Sequence, residues 1–190
     1  MTFDGRDTIV LFDELAYEDV LSLAWQPRAA NFDELVAERL ADNNIRLLQA
    51  FDALEEHSTV DKPDEASPYA TDLARMDFKI NLLLDLVGQL LAASHARPRA
   101  VPVRFNALGA SWQVADDAAA PDVGSKGLLQ IYLRDTLVQP LTLPARVSTI
   151  APGGQVRVHF ELLNELVADH LEKLVFRHHR RKIAGARVAR

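Results

Sequence analysis

A chain of 190 residues that is 48% apolar and 25% charged can form one domain with a buried core, or a small domain with a helical attachment. It has no cysteine, which excludes disulfides, thiolate metal sites and a cysteine nucleophile, and is compatible with a reducing compartment. The net charge of −6 is unevenly divided: residues 1–94 hold 19 acidic and 7 basic side chains, and residues 95–190 hold 8 and 14. An acidic half joined to a basic half marks two regions with different partners, two regions that meet, or solvated faces of opposite sign.

The opening stretch MTFDGRDTIVLFDELAYEDV is acidic and lacks a long apolar run, so no signal peptide is expected. Asn31 before FDEL, with Asp33 and Glu34 in the first turn, reads as a helix start. Val36, Leu40, Leu47, Phe51 and Leu54 mark its apolar stripe, which runs to about Glu56. Residues 58–68, STVDKPDEASP, read as a linker, and a second helix is expected from Pro68, a residue tolerated in a first turn.

Leu73, Met76, Ile80, Leu83, Val87 and Leu90 follow one another at steps of 3, 4, 3, 4 and 3 residues, a heptad seam. Leu82, Leu84, Leu86 and Leu91 widen the apolar surface beyond what a two-stranded coil covers, which suits a bundle of several helices. A helix packed on its own domain, or a hairpin with residues 31–56, fits the same pattern. Asn81, Asp85 and Gln89 make the segment too polar, and its apolar run too short, to span a bilayer.

Beyond His95 the pattern changes to strands: VPVRF (101–105), a turn at Asn106–Gly109, then SWQV (111–114). A loop covers 116–127, and LLQIYLR (128–134), LTLPARVSTI (141–150) and QVRVHFEL (155–162) follow. Short strands with Gly/Pro turns predict an antiparallel sheet or small barrel. Pro144 is expected at an edge or a bulge. A closing helix is expected from about Asn164, with Leu166, Leu171, Leu174, Val175 and Ile183 as its apolar positions and Gly185 as its stop.

No GxGxxG, GxxxxGK[ST], HExxH or GxSxG occurs, so an enzyme is the least supported class. His159, His170, His178 and His179 cluster late in the chain without a carboxylate pair, and metal binding is not expected. The basic run RHHRRK (177–182) reads as a solvated helix end. Docking on the acidic half of this chain or of a neighbour is the alternative. Nucleic acid or an anionic membrane surface could meet the same charges, but no aromatic residue interleaves with them after Phe176, so base stacking lacks its platform.

The order of these elements, and the stretches LAYEDVLSLAWQP (15–27), NNIRLLQAFDALEE (43–56), LARMDFKINLLLDLVGQLL (73–91) and LEKLVFRHHRRKIAGAR (171–187), resemble the atypical PilZ family of cyclic di-GMP receptors, in its tetrameric form. The resemblance implies an α+β fold: a six-stranded antiparallel β-barrel, two long N-terminal helices forming an oligomeric bundle, and a C-terminal helix. It divides the chain into an N-terminal segment (1–30), a helical oligomerisation region (31–95) and the barrel with its last helix (96–190). It also implies a bacterial, cytoplasmic, non-enzymatic signalling or adaptor protein that assembles as a homotetramer with an unknown signalling partner.

Standard PilZ domains hold cyclic di-GMP with RxxxR before the first strand and [DN]xSxxG just after it, because arginine forks grip phosphates and stack on guanines. Here Arg97, Arg99 and Arg104 occupy the region with none four apart, and the second motif falls on Arg104–Gly109. Only Gly109 keeps its type; Arg104 replaces the acid or amide and Asn106 the serine. Arg97, Arg99, Arg104, Asn106 and Gly109 are thus the candidate nucleotide-binding residues, with weak or absent cyclic di-GMP affinity expected. A receptor with a non-standard pocket and a nucleic-acid-associated protein are the alternatives. An RxxxR at Arg177–Arg181 stands on the last helix, the wrong element for the motif.

Overall fold

The computed structural model describes residues 15–29, 32–57, 69–94, 97–114, 120–134 and 137–188. Asn31, the linker 58–68 with Pro68, and the side chains of Glu56 and Leu91 lie outside what is described. The elements are β1 (Tyr17–Arg28), α1 (Glu34–His57), α2 (Ala70–Ser94), β2 (Ala100–Phe105), β3 (Gly109–Gln113), β4 (Lys126–Tyr132), β5 (Leu141–Ile150), β6 (Gln155–Phe160) and α3 (Glu165–Val188).

The six strands form a closed antiparallel barrel in the order β1-β2-β3-β6-β5-β4. Period-two alternation sends one face of each strand inward: Leu21 and Leu23, Val103 and Phe105, Leu129 and Ile131, Leu143 and Ala145, and Val156 and Val158 are buried. These residues belong to one core cluster that also takes in Leu48 and Phe51 of α1 and Leu171 and Leu174 of α3.

Strand β1 closes the barrel. Its first half pairs with β2, from Tyr17↔Phe105 to Ser22↔Ala100, and its second half with β4, from Ser22↔Tyr132 to Arg28↔Lys126. Without it, β2 and β4 would be open edges. The residue pattern read from the sequence contains no strand there. Asp19 interrupts the inward alternation of Tyr17, Leu21 and Leu23, and is exposed. Pro144 does not lie at an edge, because the barrel has none. It is buried within β5, opposite Leu128, and its carbonyl accepts the Glu161 N–H at 2.8 Å. The irregularity of β5 lies further on, between Val147 and Thr149.

Helix α1 starts on Asp33, whose carboxylate accepts the Leu35 N–H (3.4 Å) and whose carbonyl accepts that of Ala37 (3.0 Å). Its buried seam is Ala41, Asn44, Leu48, Phe51 and Glu55, with Leu47 beside it. Of the expected stripe only Leu47 and Phe51 are buried; Val36, Leu40 and Leu54 are half-exposed. The face is rotated because two polar residues belong to it, and counting apolar positions passes over both. Asn44 acts as a strand partner: its Nδ2 donates to the Thr142 carbonyl (2.8 Å) and its Oδ1 accepts the Thr142 N–H (2.9 Å). Helix α1 therefore packs on β5 and on α3.

Helix α3 is capped by Asn164, whose Oδ1 accepts the Leu166 N–H at 2.8 Å. It buries Val167, Leu171, Leu174 and Val175. Leu166 and Ile183 point outward, and Gly185 does not stop the helix, which continues to Val188.

Candidate functional site

The five candidate nucleotide residues fall at the two ends of β2. Arg97 precedes the strand. Its Nη1 donates to the Arg134 carbonyl (3.2 Å), its Nη2 to the Leu137 carbonyl (3.1 Å), and its guanidinium lies 5.4 Å from the Tyr132 ring centroid. Arg99 is exposed two residues further on.

At the far end, Asn106 and Gly109 share one turn. The buried Asn106 carboxamide oxygen accepts the N–H groups of Leu108 (2.8 Å) and Gly109 (3.3 Å), and the Asn106 N–H donates to the Gly109 carbonyl (3.0 Å). This closes the β2–β3 hairpin. At Gly109 a Cβ would meet the Val158 carbonyl oxygen at 2.2 Å, so the glycine serves the approach of β3 to β6. Six residues of extended strand, about 20 Å, separate the two groups. The fold thus brings Asn106 and Gly109 together and keeps Arg97 and Arg99 apart from them.

Arg104 projects from β2 toward Glu18, directly across in the β1 register, with Nε 3.1 Å from the carboxylate. Glu18 also accepts from Lys182 of α3 at 2.8 Å. The Lys182 hydrogen bond, aided by the positive charges of Lys182 and Arg104, outweighs burial and holds the Glu18 carboxyl below its ordinary range.

This is the edge of an ionic network that motif reading missed. Arg177 and Arg181 of α3 pair with Asp52 and Glu55 of α1. Arg134 donates to the other oxygen of Glu55 at 2.9 Å and covers the Phe51 ring at 5.3 Å. The basic end of α3 is therefore not a plain solvated end; it docks on the acidic half of the same chain. The RxxxR spacing of Arg177 and Arg181 puts both on the face that meets Asp52 and Glu55. The division of charge between the halves was the one signal in the sequence.

Tyr17 lies beside this network, stacked on Phe105 (5.0 Å) and faced by the His178 ring (4.0 Å). Burial first, then the charges of Asp19 and Glu55, push its hydroxyl up to about 12. Among the described residues no group of His, Asp and Glu side chains is arranged to hold a metal. None of the helices is long and apolar enough to cross a membrane, among the described residues.

The seam residues of α2 are a second candidate surface. Leu73, Met76, Ile80, Leu83, Val87 and Leu90 are 50 to 72% exposed in the single chain, and Phe78, Leu82, Leu84 and Leu86 are exposed beside them. The apolar face of α1, by contrast, is covered by α3 and β5.

Comparison with known proteins agrees with this architecture. The crystal structure of a pathogenic protein from Xanthomonas campestris, a tetrameric PilZ domain self-assembled via an unusual helical bundle, is similar, with a TM-score of 0.70 and 27% identity over 90% of this chain and 92% of that one. No curated protein matches. Residues 47–188 match the family described as atypical PilZ domain, cyclic di-GMP receptor. That match takes in α2, five of the six barrel strands and α3, and the chain belongs to the atypical PilZ domain family.

Proposed function

We propose that this protein is a non-enzymatic PilZ-fold adaptor in cyclic di-GMP-linked signalling in the bacterial cytoplasm. It self-associates as a homotetramer through α2 and binds cyclic di-GMP weakly or not at all. The observation that carries this reading is the continuous uncovered apolar surface of α2, from Leu73 to Leu90, which among the described residues is broader than the scattered exposed apolar side chains elsewhere, such as Val20, Leu166 and Phe176. Exposed apolar surface of that extent marks an interaction site. The Xanthomonas campestris relative, a tetramer self-assembled via a helical bundle, supports a helix-mediated assembly of four copies.

The ligand part rests on how the candidate residues are used. Arg97 is committed to two carbonyl groups, Arg104 faces Glu18, and Asn106 is committed to its own turn. A phosphate would have to displace these contacts. Isothermal titration with cyclic di-GMP tests this: no heat, or affinity weaker than micromolar, is expected, and micromolar binding abolished by Arg97→Ala contradicts it.

The receptor reading keeps one argument, the family's description as a cyclic di-GMP receptor. Saturable binding that survives Arg97→Ala and Arg99→Ala would favour a pocket built from other residues. The nucleic-acid reading has less support, since Arg177, Arg181 and Lys182 already face carboxylates of their own chain. Salt-dependent DNA or RNA binding lost on deleting residues 177–190 would be its signature.

A further inference from the structure

Helix α2 joins the barrel by two routes. On one side the chain leaves α1 just after Glu55; on the other it returns through Arg97, three residues past the end of α2 at Ser94. Among the described residues, Arg134 touches both routes. The Arg134 carbonyl accepts the Arg97 guanidinium at 3.2 Å, and the Arg134 guanidinium donates to Glu55 at 2.9 Å.

Each half of this junction is reinforced. Arg97 takes a second carbonyl, that of Leu137, and lies over Tyr132. Glu55 is buried, at 8% exposure, and its other oxygen accepts from Arg181, so α3 is tied into the same node. A buried carboxylate shared by two guanidinium groups is costly to leave half-paired, so moving Arg134 disturbs Glu55, Arg181 and Phe51 together.

From this we infer that Arg134 is a positioning residue that couples the two attachment points of the self-association helix. A change at Arg97 reaches the end of α1, and through Glu55 reaches α3, by way of Arg134. An anion taken by Arg97 would compete with the Arg134 carbonyl and act through this route. That last consequence rests on the receptor reading; the coupling does not.

Hydrogen exchange on the full chain tests it without any ligand, in the wild type, Arg97→Ala, Arg134→Met and the double variant. Methionine keeps an apolar stem over Phe51 while removing the guanidinium. Arg97→Ala is expected to speed exchange of the amides of Phe51–Glu55 about three- to tenfold, the size of coupling found between residues in one network. In the Arg134→Met background the same substitution is expected to add nothing there. Glu55→Gln, which keeps Arg134 intact, is expected to break the coupling in the same way and serves if Arg134→Met folds poorly. Faster exchange confined to the neighbourhood of Arg97 would overturn the proposal, and so would an Arg97→Ala effect on Phe51–Glu55 that persists undiminished in both backgrounds. Cyclic di-GMP binding and tetramer mass do not enter this outcome, so its failure is separable from failure of the proposed function.

Discussion

Gly109 approaches Val158 so closely that any β-carbon at that position would sit 2.2 Å from the Val158 carbonyl oxygen. The obstacle is backbone in the neighbouring strand, which cannot rotate away as a side chain can. Gly109→Ala is therefore expected to lower stability by about 1–3 kcal/mol, the usual cost of forcing a methyl into filled space. Urea unfolding measures it, and a neutral result would mean that β3 and β6 can separate freely. The glycine shared with the nucleotide motif is thus accounted for by strand packing alone.

Asn44 gives a second stability prediction. Its carboxamide meets both the donor and the acceptor of Thr142 inside the α1–β5 contact. Asn44→Ala leaves the N–H and the carbonyl of the half-buried Thr142 without these partners, a loss of about 1–3 kcal/mol in urea unfolding. Asn44→Leu is expected to be no better, because the missing partners are polar.

Acid is expected to destabilise the fold through two shared carboxylates. Glu161 feels burial pushing its carboxyl up, but its hydrogen bonds to Arg146 and Lys126 prevail and hold it below the ordinary value of 4.5. Glu18 is held down by Lys182 and Arg104. A carboxyl whose folded value is depressed stabilises the fold fully above its unfolded value, and that contribution is lost as pH falls through the folded value. The urea midpoint should therefore hold at neutral pH and drop below about pH 4.5, with a shallower drop in Glu161→Gln and Glu18→Gln.

Tyr17 acts at the other end of the scale. Its hydroxyl is raised from 10.0 to about 12, mainly by burial. The neutral phenol is the form the fold favours, so its contribution is complete below pH 10.0 and lost as pH rises toward 12. Absorbance titration of phenolate should show a late component near pH 12 that is missing in Tyr17→Phe.

Much of this fold is legible in the residues because it is written in local periods. The alternation of Leu129, Ile131 and Leu133 reports β4, and the Leu73–Leu90 steps report α2. Strand β1 escapes such reading because it uses an exposed aspartate, Asp19, in its inward register and takes its place only by pairing with β2 and β4, far away in sequence. The buried face of α1 escapes in the same way. Asn44 and Glu55 are polar, and their burial makes sense only once Thr142, Arg134 and Arg181 are beside them. The candidate site was located by motif position, whereas the contacts of Arg97 and Asn106 depend on a loop and a turn that no spacing rule describes.

Sedimentation equilibrium of the wild type and of an Ile80→Asp, Val87→Asp double variant bears most directly on the proposed assembly. A tetramer of the 21.1 kDa chain has a mass of about 84 kDa. The wild type is expected at that mass, and the double variant, with a charge forced into the seam at two levels, is expected to dissociate to the single-chain mass while keeping its barrel. A wild type that sediments as a 21.1 kDa monomer would contradict the proposal, as would a double variant that remains tetrameric.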